Sequence, residues 1–319
     1  PSCPGLWLWD ETRGRERDRS SACYGPDPLE QGLSLMANAI LLISCPDKRG
    51  ITAAVTEFVF RRNGNILHAA QHTDEKAGLF FMRIEWSLEG FSVPRDAISD
   101  EFRPLATLFS MDWDLFFSDE KVRTAIFVSR HLHCLHDLLF RHQAGQLPGC
   151  DIRGIISNHP DASPVARQWG IEFLEVPVMP DTKIVAEERQ RQILRQKGIE
   201  LVILARYHQI LSPEFVAEYP SRIINIHHSF LPAFVGKNPY AQAYEKGVKI
   251  IGATSHYVIA DLDQGPIIEQ DTARIDHRYS VEDLVEIGQD LERVVLYRAV
   301  RWHLERKILC RGNKTVVFD

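Results

Sequence analysis

The densest group of chemically capable side chains lies in the run Ile224-Asn225-Ile226-His227. If this run forms a strand, residues two apart leave the same face of the sheet, so Asn225 and His227 point toward one spot. An amide that donates a hydrogen bond and an imidazole that titrates near neutral pH can together stabilise a developing negative charge and transfer a proton. Polar residues at strand ends also commonly satisfy loop backbone groups, so the pair by itself leaves catalysis and a structural role equally open.

A second polar group follows further along the chain. Its first part is the strand-like run Thr254-Ser255-His256-Tyr257, and its second part, Asp261-Leu262-Asp263-Gln264-Gly265-Pro266, begins the connection to another strand-like run. Asp and Gly are residues that build turns, so the second part by itself favours a structural turn. Any chemical role depends on which side chains the fold brings beside it.

The elements that must position these side chains begin only after an irregular N-terminal stretch. The chain of 319 residues is long enough for two domains, since domains commonly hold about 150 residues. Residues 1–35 show no sustained periodicity and are predicted to be a disordered arm. Met36 directly precedes the first clear strand pattern, so an alternative is that residues 1–35 are an extension that the native protein lacks.

Residues 36–118 are predicted to form an α+β sandwich. The apolar patterns give the order strand, helix, strand, strand, helix, strand, with the elements at 39–44, 51–59, 66–73, 79–88, 94–109 and 111–117. This order is typical of the ferredoxin-like fold, in which two helices cover one face of an antiparallel sheet. A second copy of the chain is expected to cover the edge or the open face of that sheet.

Residues 122–319 are predicted to form a mostly parallel α/β domain. Short buried strands at 124–129, 152–157, 199–205 and 223–226 alternate with helical stretches, one of them at 182–197. A long amphipathic helix over 280–307 and a strand over 315–318 end the domain. Ligands of open parallel sheets bind outside the carboxyl ends of the strands, and Asn225 and His227 lie at such an end.

Composition and charge exclude several classes of protein. The 37 basic and 43 acidic residues leave a net charge of −6, which provides no cationic field for a nucleic acid partner. No apolar run approaches the ~20 residues that a membrane-spanning helix requires, and no signal peptide pattern is present, so a cytoplasmic protein is expected. The six scattered cysteines form no C-x-x-C pair and are predicted to be free thiols.

Four motifs in a fixed order resemble the folate-dependent formyltransferases, a family that includes glycinamide ribonucleotide formyltransferases and formyltetrahydrofolate deformylases. The motifs are Asn225-x-His227, Ser229-x-Leu231-Pro232, the run over 252–258 and the run over 261–268. In the first domain, Asp47-x-x-Gly50-Ile51 resembles the start of an ACT domain. An ACT domain before a Rossmann-like formyltransferase domain is the arrangement of the deformylases, and we expect it here over 36–118 and 122–319.

The resemblance implies roles for particular residues. Asn225, His227 and Asp263 would be the catalytic group, acting on the formyl carbon without a metal ion or a covalent intermediate. The substrate itself, 10-formyltetrahydrofolate, would be the only folate required, so no separate cofactor is expected. Its pterin would be held by backbone groups of two short segments, which comprise Gln209, Ile210, Leu211, Ile259, Ala260 and Asp261. The implied products, tetrahydrofolate and formate, belong to one-carbon metabolism and supply purine synthesis.

The turn after the first strand of the second domain distinguishes hydrolysis from formyl transfer. The resemblance implies that ribonucleotide formyltransferases carry there a glycine-rich turn whose N–H groups bind the substrate phosphate. Residues 129–139 contain no glycine here, and bulky side chains would fill a phosphate site, which leaves water as the acceptor. Formyl transfer to a ribonucleotide amine is the alternative. His136 and His208 stand where deformylases tend to have glycine and methionine.

Two further alternatives come from the same residues. The side chains of His131, His133, Cys134 and His136 have types that bind zinc, and His133 and His136 are spaced to share a helix face, which would suit a metallohydrolase. The second of these alternatives concerns the first domain: the protein would be a sensor whose function lies there, while the second domain is catalytically idle. The intact Asn225, His227 and Asp263 set argues against it.

The sequence of the first domain also predicts that subunits assemble and that a small molecule regulates them. An ACT-like sheet commonly pairs with its copy, so a homodimer or homotetramer is expected. The resemblance further suggests that a small amino acid, such as glycine or methionine, binds near Asp47 to Ile51, where a helix start presents free backbone N–H groups. The alternative is that Gly50 only permits the turn and the domain only assembles subunits.

Overall fold

An antiparallel four-stranded sheet with two helices on one face forms the first half of the computed structural model, which describes residues 37–232 and 239–319. The predicted arm at 1–35 lies outside the described residues. The strand order is β2-β3-β1-β4, and the ferredoxin-like prediction is confirmed. The elements are β1 (Asn38–Pro46), α1 (Ile51–Phe60), β2 (Asn65–Asp74), β3 (Leu79–Ser87), α2 (Ile98–Phe109) and β4 (Asp112–Phe117).

Large apolar side chains fill the space between this sheet and its helices. Phe58 of α1 and Phe102 of α2 meet edge to face at 5.2 Å between ring centroids, and the buried Trp86 belongs to the same core. Edge-to-face packing of aromatic rings adds to the free energy gained from burying their surface. Gly50 precedes α1 with a φ of 91°, a conformation that glycine adopts without steric cost.

A seven-stranded sheet forms the second half, in the order β11-β10-β9-β8-β5-β6-β7. The pairs from β9 to β7 are parallel, whereas β10 is antiparallel to both of its neighbours, β9 and β11. The mostly parallel α/β prediction is confirmed. The strands are β5 (Val122–Val128), β6 (Cys150–Ser157), β7 (Phe173–Glu175), β8 (Leu201–Leu204), β9 (Ile223–His227), β10 (Ile250–Tyr257) and β11 (Ile267–Arg274).

Helices cover both faces of the larger sheet, and consecutive strand residues therefore enter different cores. Ile126 packs with α3, α4 and α8, whereas its neighbour Phe127 packs with α5 and α6 on the opposite face. A strand buried on both faces reads as an unbroken apolar run, as β5 does. The helices are α3 (His133–Gln143), α4 (Ser163–Gln168), α5 (Lys183–Gln196), α6 (Pro213–Glu218), α7 (Pro239–Glu245) and α8 (Val281–Leu304).

A hairpin after α8 joins the two halves. It consists of β12 (Ile308–Arg311) and β13 (Lys314–Val317), and β12 occupies residues directly after the predicted long helix, which ends three residues earlier than the sequence indicated. Phe318 packs with Leu42 and Phe81 on the face of the first sheet that α1 and α2 do not cover. The chain's own hairpin thus covers part of the face that we expected a second copy to cover. Assembly into a dimer or tetramer stays a prediction.

None of the helices that the structure describes is both long and apolar enough to cross a membrane. The cytoplasmic location stays a prediction. The cysteines within the described ranges, Cys45, Cys134, Cys150 and Cys310, are free thiols, as the sequence indicated.

Candidate active site

Strand β9 brings the two predicted catalytic side chains to the carboxyl end of the parallel sheet. Ile224 and Ile226 are buried in the core below, and Asn225 and His227 leave the opposite face. On the antiparallel neighbour β10, His256 lies directly opposite Asn225. Directly opposed residues of an antiparallel pair share one face of the sheet, so strand register alone gathers these polar side chains.

The carboxylate of Asp263 completes this group from the loop after β10. His227 Nδ1 lies 3.3 Å from Asp263 Oδ2, and His256 Nε2 lies 3.6 Å from Asp263 Oδ1. Asp263 has a φ of 55°, in the left-handed region. The loop is pressed against its own strand, because a Cβ at Gly265 would lie 1.7 Å from the carbonyl oxygen of Tyr257. This tight turn sets the carboxylate above β9. From the sequence, Asp263 could be either part of a structural turn or a catalytic acid.

Asp263 is held as a carboxylate. Burial by itself would raise the pKa of Asp263, but hydrogen bonding with His227 and His256 and their positive charge lower that pKa well below its usual value. The other ring nitrogen of His227, Nε2, is buried and has no hydrogen-bonding partner among residues 37–232 and 239–319. A buried polar atom without a partner costs free energy, so Nε2 of His227 is a candidate to bind a reacting oxygen.

His256 also belongs to this group, although the sequence analysis gave it no catalytic or binding role. Its Nδ1 lies 3.0 Å from the carbonyl oxygen of Tyr257, which can only accept, so Nδ1 carries a proton. In the neutral ring, Nε2 then accepts a hydrogen bond from the Asn225 amide at 3.2 Å. When the ring is protonated, Nε2 instead donates toward Asp263. The signal available in the sequence was the period of two that places Thr254 and His256 on one face.

A pocket of about 330 Å³ opens beside this group. Asn225, His227, His256 and Asp263 line one part of it. The segments predicted to hold the pterin line another part, with Gln209, Ile210 and Leu211 on one side and Ile259 and Ala260 on the other. Asp261 is exposed and does not line the pocket, whereas its neighbour Leu262 does. The side chains of Ile210 and Leu262 are 56% and 54% exposed, which gives the pocket an apolar rim suited to a flat ring.

A second carboxylate cluster lies behind the pocket lining and is joined to it by Arg206. Glu292 of α8 is fully buried and accepts a hydrogen bond from the Tyr240 hydroxyl at 2.7 Å. His133 Nε2 lies 2.7 Å from Glu292 Oε2, and Arg206 Nε lies 3.4 Å from the same oxygen. Burial alone would raise the pKa of Glu292, but His133 and Arg206 lower it, so Glu292 is charged. The Tyr240 ring rests on Gly288, where a Cβ would lie 2.1 Å from its hydroxyl.

Arg206 links this cluster to the pocket. It lines the pocket together with His208 and His228, and it has a φ of 62°, which is uncommon for a residue with a side chain. Burial and the neighbouring Arg206 charge lower the pKa of His228 to about 3, so this imidazole is neutral at physiological pH. His208 is exposed and lies against His131, with 5.5 Å between ring centroids. Sequence reasoning gave no role to Arg206 or Glu292, because their contacts join distant segments.

The turn after β5 carries the side chains that the sequence offered as zinc ligands. Of that set, His133 and Cys134 approach each other and Glu292, with candidate ligand atoms within 4.8 Å, and His131 and His136 do not join them. The Glu292 oxygens are already engaged by His133, Tyr240 and the cationic Arg206. Burial raises the pKa of the Cys134 thiol well above its usual value. A guanidinium and a neutral thiol disfavour a cation here, so the geometry favours an ion cluster over a metal site.

Comparison with known proteins agrees with the arrangement of the chain. Residues 122–300 match the formyl transferase family, and residues 39–90 match the ACT domain family. The formyltetrahydrofolate deformylase of Synechocystis sp. is 51% identical over 280 residues, which cover 88% of this chain and 98% of the relative. The Escherichia coli formyltetrahydrofolate deformylase is 38% identical over 280 residues, covering 87% and 97% of the two chains.

Solved structures extend the comparison to the fold. The crystal structure of a formyltetrahydrofolate deformylase from Pseudomonas syringae superposes with a TM-score of 0.87 at 45% identity and covers 91% of this chain and 97% of its own. The glycinamide ribonucleotide transformylase 1 of Symbiobacterium toebii superposes with a TM-score of 0.60 at 29% identity. It covers 98% of its own chain but 65% of this one. The likeness to the transformylase thus involves a smaller part of this chain than the likeness to the deformylases.

Proposed function

Because the chain belongs to the family of formyltetrahydrofolate deformylases, we propose that it hydrolyses 10-formyltetrahydrofolate to tetrahydrofolate and formate. The observation that carries the catalytic assignment is the buried group of Asn225, His227 and Asp263 beside a pocket of about 330 Å³. An amide, an imidazole and a carboxylate that share one sheet end can act together on one carbonyl carbon.

Hydrolysis begins when the oxygen of a water molecule attacks the formyl carbon and the C=O electron pair moves to the formyl oxygen. The Asn225 amide and a proton on His227 Nε2 are placed to donate hydrogen bonds to that oxyanion. His227 Nδ1 faces Asp263 Oδ2 at 3.3 Å, and this contact fixes the orientation of the imidazole ring. A donor of this kind contributes roughly 10²–10³ in rate.

Proton transfer completes the reaction at Oδ1 of Asp263, the carboxylate oxygen that His227 does not contact. Asp263 accepts a proton from the attacking water, N10 of the folate receives a proton, and the C–N10 bond breaks to leave formate. The two histidines lower the pKa of Asp263 and so keep it in the ionised form that can accept a proton. His256 stabilises the same carboxylate in its charged form.

The folate is proposed to bind between the loop that holds Gln209 to Leu211 and the loop that holds Val258 to Ala260. The exposed apolar side chains of Ile210 and Leu262 flank the opening, where a pterin ring would remove them from water. The folate is the substrate, and the chemistry proposed here uses the side chains of this chain without a further cofactor. A contribution of the products to purine synthesis stays a prediction.

Water rather than an amine is the proposed acceptor because side chains occupy the space next to the pocket. The turn after β5 lacks glycine, and its His133 side chain extends to Glu292 and occupies space that a glycine would leave open. Arg206 and the neutral His228 line the same end of the pocket. A ribonucleotide phosphate would have to displace this ion cluster in order to bind.

The experiment is to incubate the enzyme with 10-formyltetrahydrofolate alone and to measure formate and tetrahydrofolate. We expect both products in equal amounts, and no change in rate when glycinamide ribonucleotide is added. Formate or tetrahydrofolate that appears only with the ribonucleotide amine, together with a formylated amine, would overturn the assignment in favour of formyl transfer.

A further inference from the structure

A cavity of about 600 Å³ lies between the first domain and the end of α8, and no step of the proposed reaction uses it. Residues from β3, including Arg83 and Glu85, line one wall, and residues at the end of α8, including Arg301, Glu305 and Arg306, line another. Its size falls within the range of pockets that bind small molecules. The cavity therefore has room for an organic ligand.

The wall that faces this cavity is rigidly built. Arg83 is 6% exposed, and its Nη2 donates to Glu85 Oε2 at 2.8 Å and to the Glu305 carbonyl at 3.1 Å. Its Nε donates to the Arg306 carbonyl at 3.0 Å. A guanidinium that satisfies the carbonyls at a helix end fixes that end, so β3 of the first domain holds the last turn of α8 in place.

Two of the charged side chains that line the cavity, Arg306 and the exposed Asp319, have no ion-pair partner among the residues that the structure describes. Glu305 accepts from Arg301 at 2.6 Å and lies 3.0 Å from Lys307 Nζ. The Arg306 side chain is partly buried, and its guanidinium lies 4.2 Å from the centroid of the Phe116 ring. It makes no hydrogen bond or ion pair with any residue in the part of the chain that the structure describes. A partly buried cation that lacks an anion is costly, and an anionic ligand would remove that cost.

The lining also shows what else the ligand would carry. Apolar side chains share the cavity with the charges, and they are Ile40, Phe117, Leu304 and Phe318. A purely inorganic anion would leave this apolar surface exposed to water, whereas an organic body would cover it. From these contacts we propose that the cavity binds a small organic carboxylate, with its carboxylate on Arg306 and its apolar body on this surface.

The same turn of α8 is connected to the catalytic group. His303, one turn before Arg306, lies with its Nδ1 2.7 Å from the Tyr257 hydroxyl. The Tyr257 carbonyl in turn accepts from His256 Nδ1 at 3.0 Å. A ligand that shifts the end of α8 would therefore act on Tyr257 and His256, and occupancy of the cavity is proposed to change turnover by this route.

Calorimetric titration of the full chain with single carboxylates tests the binding site independently of activity. The probes are acetate, butyrate and hexanoate, and as amino acids of similar size glycine and methionine, which separate plain carboxylates from zwitterions. Saturable heat is expected from at least one probe with an apolar body, and binding of that probe should be roughly 10- to 100-fold weaker in Arg306→Gln. Arg311→Gln is the matched control, since that exposed arginine lies outside the cavity and should leave the affinity unchanged.

Thermal unfolding without ligand distinguishes a binding role from a structural one. If Arg306 is kept for a ligand, Arg306→Gln relieves a buried charge and should leave Tm unchanged or raise it; a large fall in Tm would contradict the proposal. Arg306→Lys keeps the charge and should retain part of the affinity. No saturable heat from any probe, or equal affinity in wild type and Arg306→Gln, would overturn the site.

Tyr257→Phe tests the connection to catalysis. This change removes the hydroxyl that contacts His303 and leaves the carbonyl in place, so the probe should still bind but no longer change kcat. An activity response of the same size in Tyr257→Phe would overturn the proposed route while the binding site stands. Because heat is measured without folate, failure of the binding site and failure of the deformylase assignment remain distinguishable.

Discussion

One buried cluster of histidine and carboxylate lines the pocket and a second is joined to the pocket through Arg206, and the two differ in how completely their groups are paired. In the first, Asp263 stands 3.3 Å and 3.6 Å from its two histidines, and His227 Nε2 has no partner in the ranges that the structure describes. In the second, Glu292 is fully buried and holds His133 and Tyr240 at 2.7 Å each. The same side-chain types thus form one loosely paired group and one tightly paired group.

This difference in pairing suggests different roles for the two clusters, catalysis for the Asp263 group and stability of the fold for the Glu292 group. Long contacts and an unpaired nitrogen leave the Asp263 group able to bind a reacting oxygen and to move protons, and that readiness costs some stability. Short contacts with full burial leave the Glu292 group nothing to offer a substrate, but they join α3, α7 and α8 around one charge. We therefore expect changes in the first cluster to affect rate and changes in the second to affect folding.

The largest effect should come from the loosely paired group. Asp263→Asn and His227→Ala should each lower kcat by about 10²–10⁴, because they remove the proposed proton acceptor and a proposed oxyanion donor of the transition state. Steady-state kinetics with 10-formyltetrahydrofolate measures this, and circular dichroism checks that the fold persists. Asp290→Asn, an exposed carboxylate on α8, is the control and should keep wild-type turnover. A near-normal kcat in either site variant would erase the distinction between the clusters.

The tightly paired group should respond in stability. Glu292→Gln leaves the Arg206 guanidinium buried beside a neutral amide, and breaking a buried ion pair typically costs about 3–5 kcal/mol in the free energy of unfolding. Urea unfolding of this variant and of Glu286→Gln, an exposed glutamate on the same helix, provides the comparison. The control should stay within about 0.5 kcal/mol of wild type. Equal stability of the two variants would show that the Glu292 cluster does not support the fold.

The smallest effect, counted per pH unit, concerns the dependence of stability on pH. His228 and His303 are kept neutral by burial, with pKa values lowered to about 3, whereas the ordinary value is 6.5. The unfolded chain therefore takes up protons first as pH falls below 6.5, and stability should decline by about 1 kcal/mol per pH unit for each group until the folded pKa is reached. The pKa values of Asp263 and Glu292 are lowered, so their contribution is lost only in the more acidic range below the ordinary carboxyl values.

Free energies of unfolding measured between pH 7 and pH 4 test the loss of stability that the histidines cause. A His228→Asn variant removes one of the titrating groups, and its stability should depend less steeply on pH than that of wild type between pH 6 and pH 4. Parallel curves for the two proteins would mean that His228 is not held neutral in the folded state.

The sequence was sufficient for the parts of the site that rest on short motifs and on sheet topology. Asn225 and His227 are two apart on one strand, and the strand end fixes where they point. Register with β10 then decides that His256 joins them, and register is set by packing rather than by any local pattern. Glu292 and Arg206 meet only because α8 packs across β9, β10 and β11, a long-range arrangement that neither segment encodes alone.

The elements of the first domain and the strand β13 followed from apolar periodicity, but β12 did not. It is a four-residue strand, Ile308–Arg311, directly behind a long helical pattern, and so short an apolar run gives no clear strand signal. The stop is caused by Arg306, whose φ of 54° breaks the helical path, and by tertiary packing of Phe318 on the first sheet. Both causes lie outside the window in which a sequence pattern is read.

The hairpin that covers the first sheet has a consequence for how the protein is made. During translation, β1 and β3 leave the ribosome long before β13, so the apolar surface of Leu42 and Phe81 stays open until Phe318 emerges. An early-folding domain with an uncovered apolar face is prone to bind other nascent chains or chaperones. The same dependence means that the first domain excised by itself would lose its cover, so it does not behave as a module that can be transplanted without the C-terminal hairpin.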